Sequence, residues 1–188
     1  GFTGNLLIVA ARTSGAGSKG VSLFVLETEN LPGFRVGRLL EKIGMQASDT
    51  AELFFDGVRV PADQLLGEVE GKGFGQLMGA LPYERMLIAV PAAATIEQAL
   101  AVTVEYTKQR KAFGAPLFDM QLTRQKLAEV ATTAHVVRSF VNDCTQRLLD
   151  GTLDNEAAYM AKWWCTEQQC RVVDECLQLF GGYGYMAE

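Results

Sequence analysis

Glu84 and Arg85 form a charged pair inside the largely apolar segment from Leu81 to Leu87. A carboxylate held in an apolar pocket has a raised pKa, which suits a general base that takes a proton at neutral pH. The alternative is a solvated acidic residue at a helix start, where the helix dipole stabilises negative charge. The spacing of these residues in the sequence, taken alone, favours the solvated acidic residue.

Two further segments close helical stretches and contain groups that bind phosphates or flat ligands. Gln109–Gly114 places Arg110 at a helix end, where it either complements the helix dipole or clamps a phosphate or pyrophosphate. The segment from Gln178 to Tyr185 contains Gly181 and Gly182. These glycines either end a helix or let the backbone approach a flat ligand closely, and the residues alone leave both interpretations open.

The remaining motifs predict structure rather than chemistry. The pattern G-x-G-x-x-G in residues 15–20 is followed by a strand-like run and not by a helix, so we predict a flexible hairpin loop instead of a dinucleotide site. His135 is the only histidine, so we treat it as structural and predict neither a metal site nor a Ser-His-Asp triad. The cysteines are predicted to be buried, reduced thiols, which fits a reducing compartment: Cys144, Cys165, Cys170 and Cys176.

The composition is typical of a globular chain. Hydrophobic residues make up 48% and charged residues 21% of the 188 residues. The formal net charge of -5 gives no basic surplus for binding nucleic acid. The longest unbroken apolar stretches are strand-sized and the first residues lack a signal-peptide pattern, so we predict no membrane span and no secretion. A start without Met suggests a fragment or a processed chain.

Strand patterns fill the first third of the chain, and helical patterns follow. No helix-length segment separates the strands, so we predict an antiparallel sheet in which Val58–Val60 returns along the preceding strand after the Asp56–Gly57 turn. The predicted strands are Leu6–Ala10, Val21–Leu26, Phe34–Leu40 and Ala51–Phe55. The first predicted helix begins near Phe74 and is interrupted or kinked at Pro82, and the second continues from there to about Arg110, although Pro91 inside it disfavours a helix. Two later helices are predicted from about Asp119 to Asp150 and from a cap at Asp154 to Gly181.

These elements predict an α+β fold. We predict an antiparallel β-sheet in residues 1–69 and an antiparallel helical bundle in residues 70–188.

Five segments together resemble the acyl-CoA dehydrogenase family of flavoproteins. Each is weak alone, but their order and spacing over almost the entire chain are highly specific. The resemblance implies that residues 1–69 are part of a barrel-like middle β domain and that residues 70–188 are part of a C-terminal α-helical bundle domain. The resemblance implies FAD-dependent α,β-dehydrogenation of an acyl-CoA thioester to a trans-2-enoyl-CoA in fatty-acid or branched-chain acid catabolism, with electrons passing to an electron-transfer flavoprotein. The matching segments are Gly33–Gly37, Ser48–Phe55, Val58–Pro61, Gln109–Gly114 and Phe180–Gly184.

The resemblance also implies a catalytic base. Most members carry it in a Tyr-Glu-Gly-Thr stretch that would lie beyond Glu188, but a subset resembling the long-chain and isovaleryl enzymes has it where Glu84 lies. Glu84 then takes the pro-R α-hydrogen as a proton while the β-hydrogen leaves as hydride to FAD. Tyr83 and Arg85 lie by the acyl or thioester end of the substrate.

Six residues are implied to bind FAD by the same resemblance. Arg110 binds the pyrophosphate, Phe113 and Gln121 lie close to the cofactor, and Gln178, Gly181 and Gly182 meet the adenosine end. In this family these contacts are made to the FAD of a neighbouring subunit, which implies a homodimer or homotetramer.

The chain departs from the family pattern in three ways. The sequence does not contain the N-terminal helical domain, the β-domain loop over the isoalloxazine ring, or the C-terminal stretch with a backbone N–H for the thioester oxygen, so we expect these residues alone to be inactive. An acyl-CoA oxidase-like enzyme and a non-catalytic helical assembly protein are the alternatives. Acyl chain length and branching stay open, as does the choice between a bacterial cytoplasm and the mitochondrial matrix.

Overall fold

Antiparallel strand pairs and long helices make up the chain, which confirms the predicted α+β class. The computed structural model describes residues 1–187. Its contacts divide the chain into a first unit, Gly1–Gly79, and a second unit from Ala80 onward. The proposed domain boundary after residue 69 stays a prediction.

The first unit contains two separate two-stranded sheets where the sequence predicted one sheet. Strand β1 (Leu6–Arg12) pairs antiparallel with β2 (Val21–Glu27). The loop between them includes a short 3-10 turn, Ser18–Gly20, and leads directly into β2. The prediction of a hairpin loop at the glycine motif is therefore confirmed.

The second strand pair corrects the predicted hairpin at Asp56–Gly57. Strand β4 (Ala51–Phe55) pairs with β3 (Phe34–Leu39), and the residues directly after the turn form no strand. A turn dipeptide indicates where the chain reverses, but side-chain packing selects the pairing partner. Here the ring centroids of Phe34 and Phe55 lie 5.2 Å apart across the β3–β4 pair.

Three long helices follow, with bounds close to those predicted for the later ones. They are α1 (Gly73–Gln109), α2 (Gln121–Leu149) and α3 (Asn155–Leu179). The predicted cap of α3 is confirmed, because the Asp154 carboxylate accepts a hydrogen bond from the Ala157 backbone N–H at 2.7 Å. This bond satisfies one of the free donors at the helix start.

Helix α1 runs without a break through Pro82 and Pro91, so the predicted interruption at Pro82 is wrong. A proline inside a helix removes a backbone donor and costs about 3 kcal/mol. Burial of apolar side chains on one face of α1 offsets this cost. The buried apolar side chains of α1 are Met86, Ala89, Ala92, Ala93 and Ile96.

Helices α2 and α3 pack antiparallel in the second unit, as predicted. Lys126 near the start of α2 pairs with Glu175 near the end of α3. Arg147 near the end of α2 pairs with Asp154, just before α3, at 2.7 Å. Their buried faces join that of α1 in one apolar core, with α2 and α3 contributing Val130, Ala134, Val137, Val141, Cys144, Ala157, Ala161, Cys165, Val172 and Cys176.

Cys170 corrects the prediction that all four cysteines are buried. Its side chain is exposed, whereas Cys144, Cys165 and Cys176 are buried. Burial raises the pKa of the Cys144 thiol and raises that of Cys165 to about 11, so both stay protonated at neutral pH. Cys170 lies five residues after Cys165, which turns it to the solvent side of a helix with 3.6 residues per turn.

The buried face of α1 allows a matched stability test. Ile96 is fully buried, whereas Ile88 on the same helix is 46% exposed. We expect Ile96→Ala to lower the free energy of unfolding by about 2–5 kcal/mol, because it leaves a cavity in the core. Ile88→Ala should have a much smaller effect in the same denaturant titration. Equal losses for the two variants would contradict the packing of α1 into the core.

One helix within residues 1–187, α1, is long and apolar enough to cross a membrane by length and composition alone. Its most apolar 18-residue window has a mean hydropathy of 1.7. The prediction considered unbroken apolar runs only, whereas α1 reaches this mean hydropathy although polar residues interrupt its apolar runs. A core helix of a water-soluble protein meets the same criterion, so the absence of a membrane span stays a prediction.

Candidate functional site

Tyr83 and Glu84 lie exposed on α1, and Arg85 is partly buried beside them. Glu84 lies well inside the helix, which begins at Gly73, so it is not the helix-start acid of the alternative interpretation. Within this chain it is not enclosed in an apolar pocket either. A proton donor for Glu84 therefore has to approach from the solvent side of α1.

Arg85 is held by an aromatic ring from α3. Its guanidinium carbon lies 4.0 Å from the centroid of the Tyr159 ring, a cation–π contact. The Nη1 atom of Arg85 is buried and has no hydrogen-bond partner among the residues that the structure describes. A buried charged donor without an acceptor costs free energy, so this atom marks a place where an acceptor is needed.

A pocket of about 720 Å³ lies at the other end of the second unit. It is formed where the residue after α1, the last turn of α3 and the 3-10 turn Gly181–Tyr185 meet. Four residues selected from the sequence come together in its lining: Arg110, Gln178, Gly181 and Gly182. Among the lining residues, Arg110 is the only one that carries a charge.

Aromatic contacts build the pocket wall. Tyr106 stacks on Phe180 with ring centroids 4.2 Å apart, and its hydroxyl donates a hydrogen bond to the Phe180 carbonyl at 3.2 Å. The guanidinium of Arg110 lies 5.5 Å from the Tyr183 ring. These contacts join the end of α1 to the end of α3 and hold Arg110 beside the pocket.

The two glycines expose backbone at the pocket. Gly181 has a φ of 58°, a left-handed conformation that glycine adopts without strain. A Cβ added at Gly181 or Gly182 would meet no atom within 4 Å, so a ligand has room to approach the backbone here. A guanidinium, an amide and open backbone match the pyrophosphate and flat ring of a dinucleotide, so the residues present fit FAD.

Phe113 and Gln121, the other two predicted cofactor residues, do not line this pocket. Phe113 lies in the turn between β5 (Lys111–Ala112) and β6 (Ala115–Pro116), with a φ of 53° and 99% of its surface exposed. A positive φ is strained for a bulky residue, and such strain often marks functional positions. Gln121 is exposed at the first residue of α2.

Three lining residues with a polar side-chain group were not predicted from the sequence: Tyr106, Thr123 and Tyr183. Tyr106 precedes Arg110 by four residues, so helical spacing placed the two on one face and offered a usable signal. Tyr183 follows the glycine pair directly. Thr123 comes from α2, and nothing in its sequence context links it to the pocket.

Glu84 lies well inside α1, whereas Arg110 directly follows its last residue, Gln109. At 1.5 Å per residue, roughly 39 Å of helix separates them. One copy of this chain therefore does not bring the candidate base and the pocket together. No cluster of three or more His, Cys, Asp or Glu side chains that is able to hold a metal ion occurs within residues 1–187.

Comparisons of the sequence and of the structure with known proteins point to the same family. A family model described as the acyl-CoA dehydrogenase C-terminal domain matches residues 71–188. The long-chain specific acyl-CoA dehydrogenase of Mus musculus is 48% identical over 191 residues, which cover 100% of this chain and 44% of that protein. The isovaleryl-CoA dehydrogenase of Oryza sativa subsp. japonica is 35% identical over 189 residues, covering 100% of this chain and 46% of its own length.

A solved structure has the same fold. The crystal structure of an acyl-CoA dehydrogenase from Geobacillus kaustophilus superposes with a TM-score of 0.91 at 44% sequence identity, covering 97% of this chain and 48% of that chain. The chain thus spans about half the length of the relatives that it matches.

Proposed function

Because this chain belongs to the acyl-CoA dehydrogenase family, we propose that the full-length protein oxidises an acyl-CoA thioester to the trans-2-enoyl-CoA with FAD as its cofactor. The observation that carries the proposal is the pocket lined by Arg110, Gln178, Gly181 and Gly182. Residues far apart in the sequence converge there with the donors and the open backbone that a dinucleotide requires.

Glu84 acts as the general base in this proposal. A carboxylate oxygen of Glu84 takes the α-proton of the acyl group, and the C–H electron pair forms the new C2=C3 double bond as the β-hydrogen leaves with its own pair. FAD, when bound, supplies the acceptor for that hydride. The exposed position of Glu84 on α1 supports this role, since the acyl group has to reach the carboxylate. Tyr83 and Arg85 lie by the acyl or thioester end.

The pocket residues hold the cofactor. The Arg110 guanidinium would donate hydrogen bonds to the pyrophosphate of FAD, and Gln178 and the two glycines would hold its adenosine end. Phe113 and Gln121 contact the cofactor from outside this pocket. Because Glu84 and Arg110 lie far apart along α1, each subunit contributes its base to one cofactor and its pocket to the cofactor of a neighbour, in a homodimer or homotetramer.

The partners follow from this chemistry. An acyl-CoA is the substrate, and an electron-transfer flavoprotein removes the electrons. The long-chain and isovaleryl relatives support both a long straight chain and a short branched chain as the acyl group. We place the protein in a bacterial cytoplasm or in the mitochondrial matrix.

Turnover measurements on the full-length protein test the proposal. We expect flavin absorbance in the purified protein and reduction of an electron-transfer flavoprotein with either straight-chain or isovaleryl-type acyl-CoA substrates. Oxygen consumption at the same rate without an acceptor protein would identify an oxidase instead. A protein that folds and assembles but binds no flavin would favour the non-catalytic assembly protein.

A further inference from the structure

Arg85 and Tyr159 form a contact between α1 and α3 that the proposed mechanism leaves unused. The guanidinium carbon lies 4.0 Å from the ring centroid of Tyr159. Ala158, the preceding residue on α3, is fully buried in the second unit, which fixes the backbone of α3 at this point. Tyr159 itself is 47% exposed, so its ring lies at the surface of the helix pair rather than in the core.

This contact restrains Arg85 without using its hydrogen-bond donors. A guanidinium has five N–H donors in one plane, and an aromatic ring attracts its face through the ring quadrupole. The buried Nη1 of Arg85 has no acceptor among the described residues. A long arginine side chain otherwise loses roughly 2 kcal/mol of rotamer entropy when a ligand fixes it. Ring stacking reduces that loss by ordering the side chain beforehand.

We propose that Tyr159 is a positioning residue: its ring holds the Arg85 guanidinium in place so that the N–H donors other than the buried Nη1 are free for an oxygen acceptor of the acyl-CoA. The inference rests on the proposed function, which assigns Arg85 to the acyl or thioester end of the substrate. Tyr159 acts through Arg85 and does not itself touch the reacting atoms.

Two substitutions at Tyr159 in the full-length protein distinguish the effect of the aromatic ring from that of side-chain size. Tyr159→Leu removes the π-system, and we expect KM to rise roughly 3- to 30-fold with kcat changed less than threefold, since Arg85 binds the substrate and the transition state alike. The dissociation constant of a non-reactive acyl-CoA thioether, measured by calorimetry, should rise by the same factor. Tyr159→Phe keeps the ring and should stay within twofold of the wild type in both measurements.

A control substitution and a double-mutant cycle between Tyr159 and Arg85 complete the test. Trp163→Leu removes an aromatic side chain that is 62% exposed on the same helix, and it should leave KM unchanged. Because Tyr159 acts through Arg85, Tyr159→Leu should have almost no further effect in an Arg85→Gln background. If Leu at position 159 prevents folding, Tyr159→Met replaces it in every comparison.

Several results would overturn the inference while the wild type stays active: an unchanged KM in Tyr159→Leu, an equal loss in Tyr159→Phe, or full additivity with Arg85→Gln. A wild type that neither turns over acyl-CoA substrates nor binds the thioether would overturn the proposed function, and this inference with it. The two failures are therefore distinguishable by the behaviour of the wild type.

Discussion

Glu84→Gln is expected to lower the turnover of the full-length protein by roughly 10²- to 10⁴-fold. The amide has nearly the same shape as the carboxylate but accepts no proton from the α-carbon. Binding of FAD and of the acyl-CoA should be nearly unchanged, because Glu84 is exposed on α1 and lies far from the pocket around Arg110. Flavin absorbance, calorimetric titration with a thioether analogue and steady-state kinetics measure these three quantities.

Glu105→Gln is the matched control for the loss of a carboxylate. Glu105 lies on the same helix, is exposed, and pairs only with the neighbouring Lys108 at 3.0 Å among the residues that the structure describes. A surface pair of this kind contributes little, so turnover should stay close to that of the wild type. Near-normal turnover in Glu84→Gln would place the base outside this chain and would contradict the assignment of Glu84.

Arg110→Gln is expected to weaken FAD binding about 10- to 100-fold, because a hydrogen bond to a charged group contributes about 1.5–3 kcal/mol. Arg110 supplies the only charge in the lining of the pocket, so no neighbour in that lining replaces it. The variant should be purified with less flavin than the wild type. Titration of the apoprotein with FAD then gives the change in the dissociation constant.

Lys111→Gln is the control for the change in net charge at this helix end. Lys111 is the next residue along the chain, is exposed in β5, and does not line the pocket. The apoprotein of this variant should bind FAD as the wild type does. If the two variants lose the same affinity, the effect is one of overall charge, and the pocket is not the cofactor site.

The substitutions at Glu84 and Arg110 affect positions far apart along α1 and should have different signatures. Glu84→Gln affects turnover at full flavin occupancy, whereas Arg110→Gln affects occupancy and leaves the turnover per bound flavin close to normal. If each of the two variants lost both flavin occupancy and turnover per bound flavin, the result would indicate a general loss of structure. Thermal unfolding of both proteins distinguishes that case.

The local features of this protein could be predicted from its sequence. Hydrophobic periodicity, turn residues and the Asp154 cap located most strands and the later helices, because these depend on neighbouring residues only. The same local information excluded the dinucleotide interpretation of residues 15–20, since a strand follows that loop. The resemblance of these segments to the acyl-CoA dehydrogenase family also selected Arg110, Gln178, Gly181 and Gly182, which line one pocket in the structure.

The tertiary structure decides which of these local features come into contact. Packing of α1 against the core holds the helix continuous through Pro82, and the ring contact across β3 and β4 selects the strand partner. The pocket and the contact between Arg85 and Tyr159 depend on contacts between residues far apart in the chain. Such contacts form only when burial of apolar surface brings the helices together, and the spacing within one segment carries no information about that choice of partner.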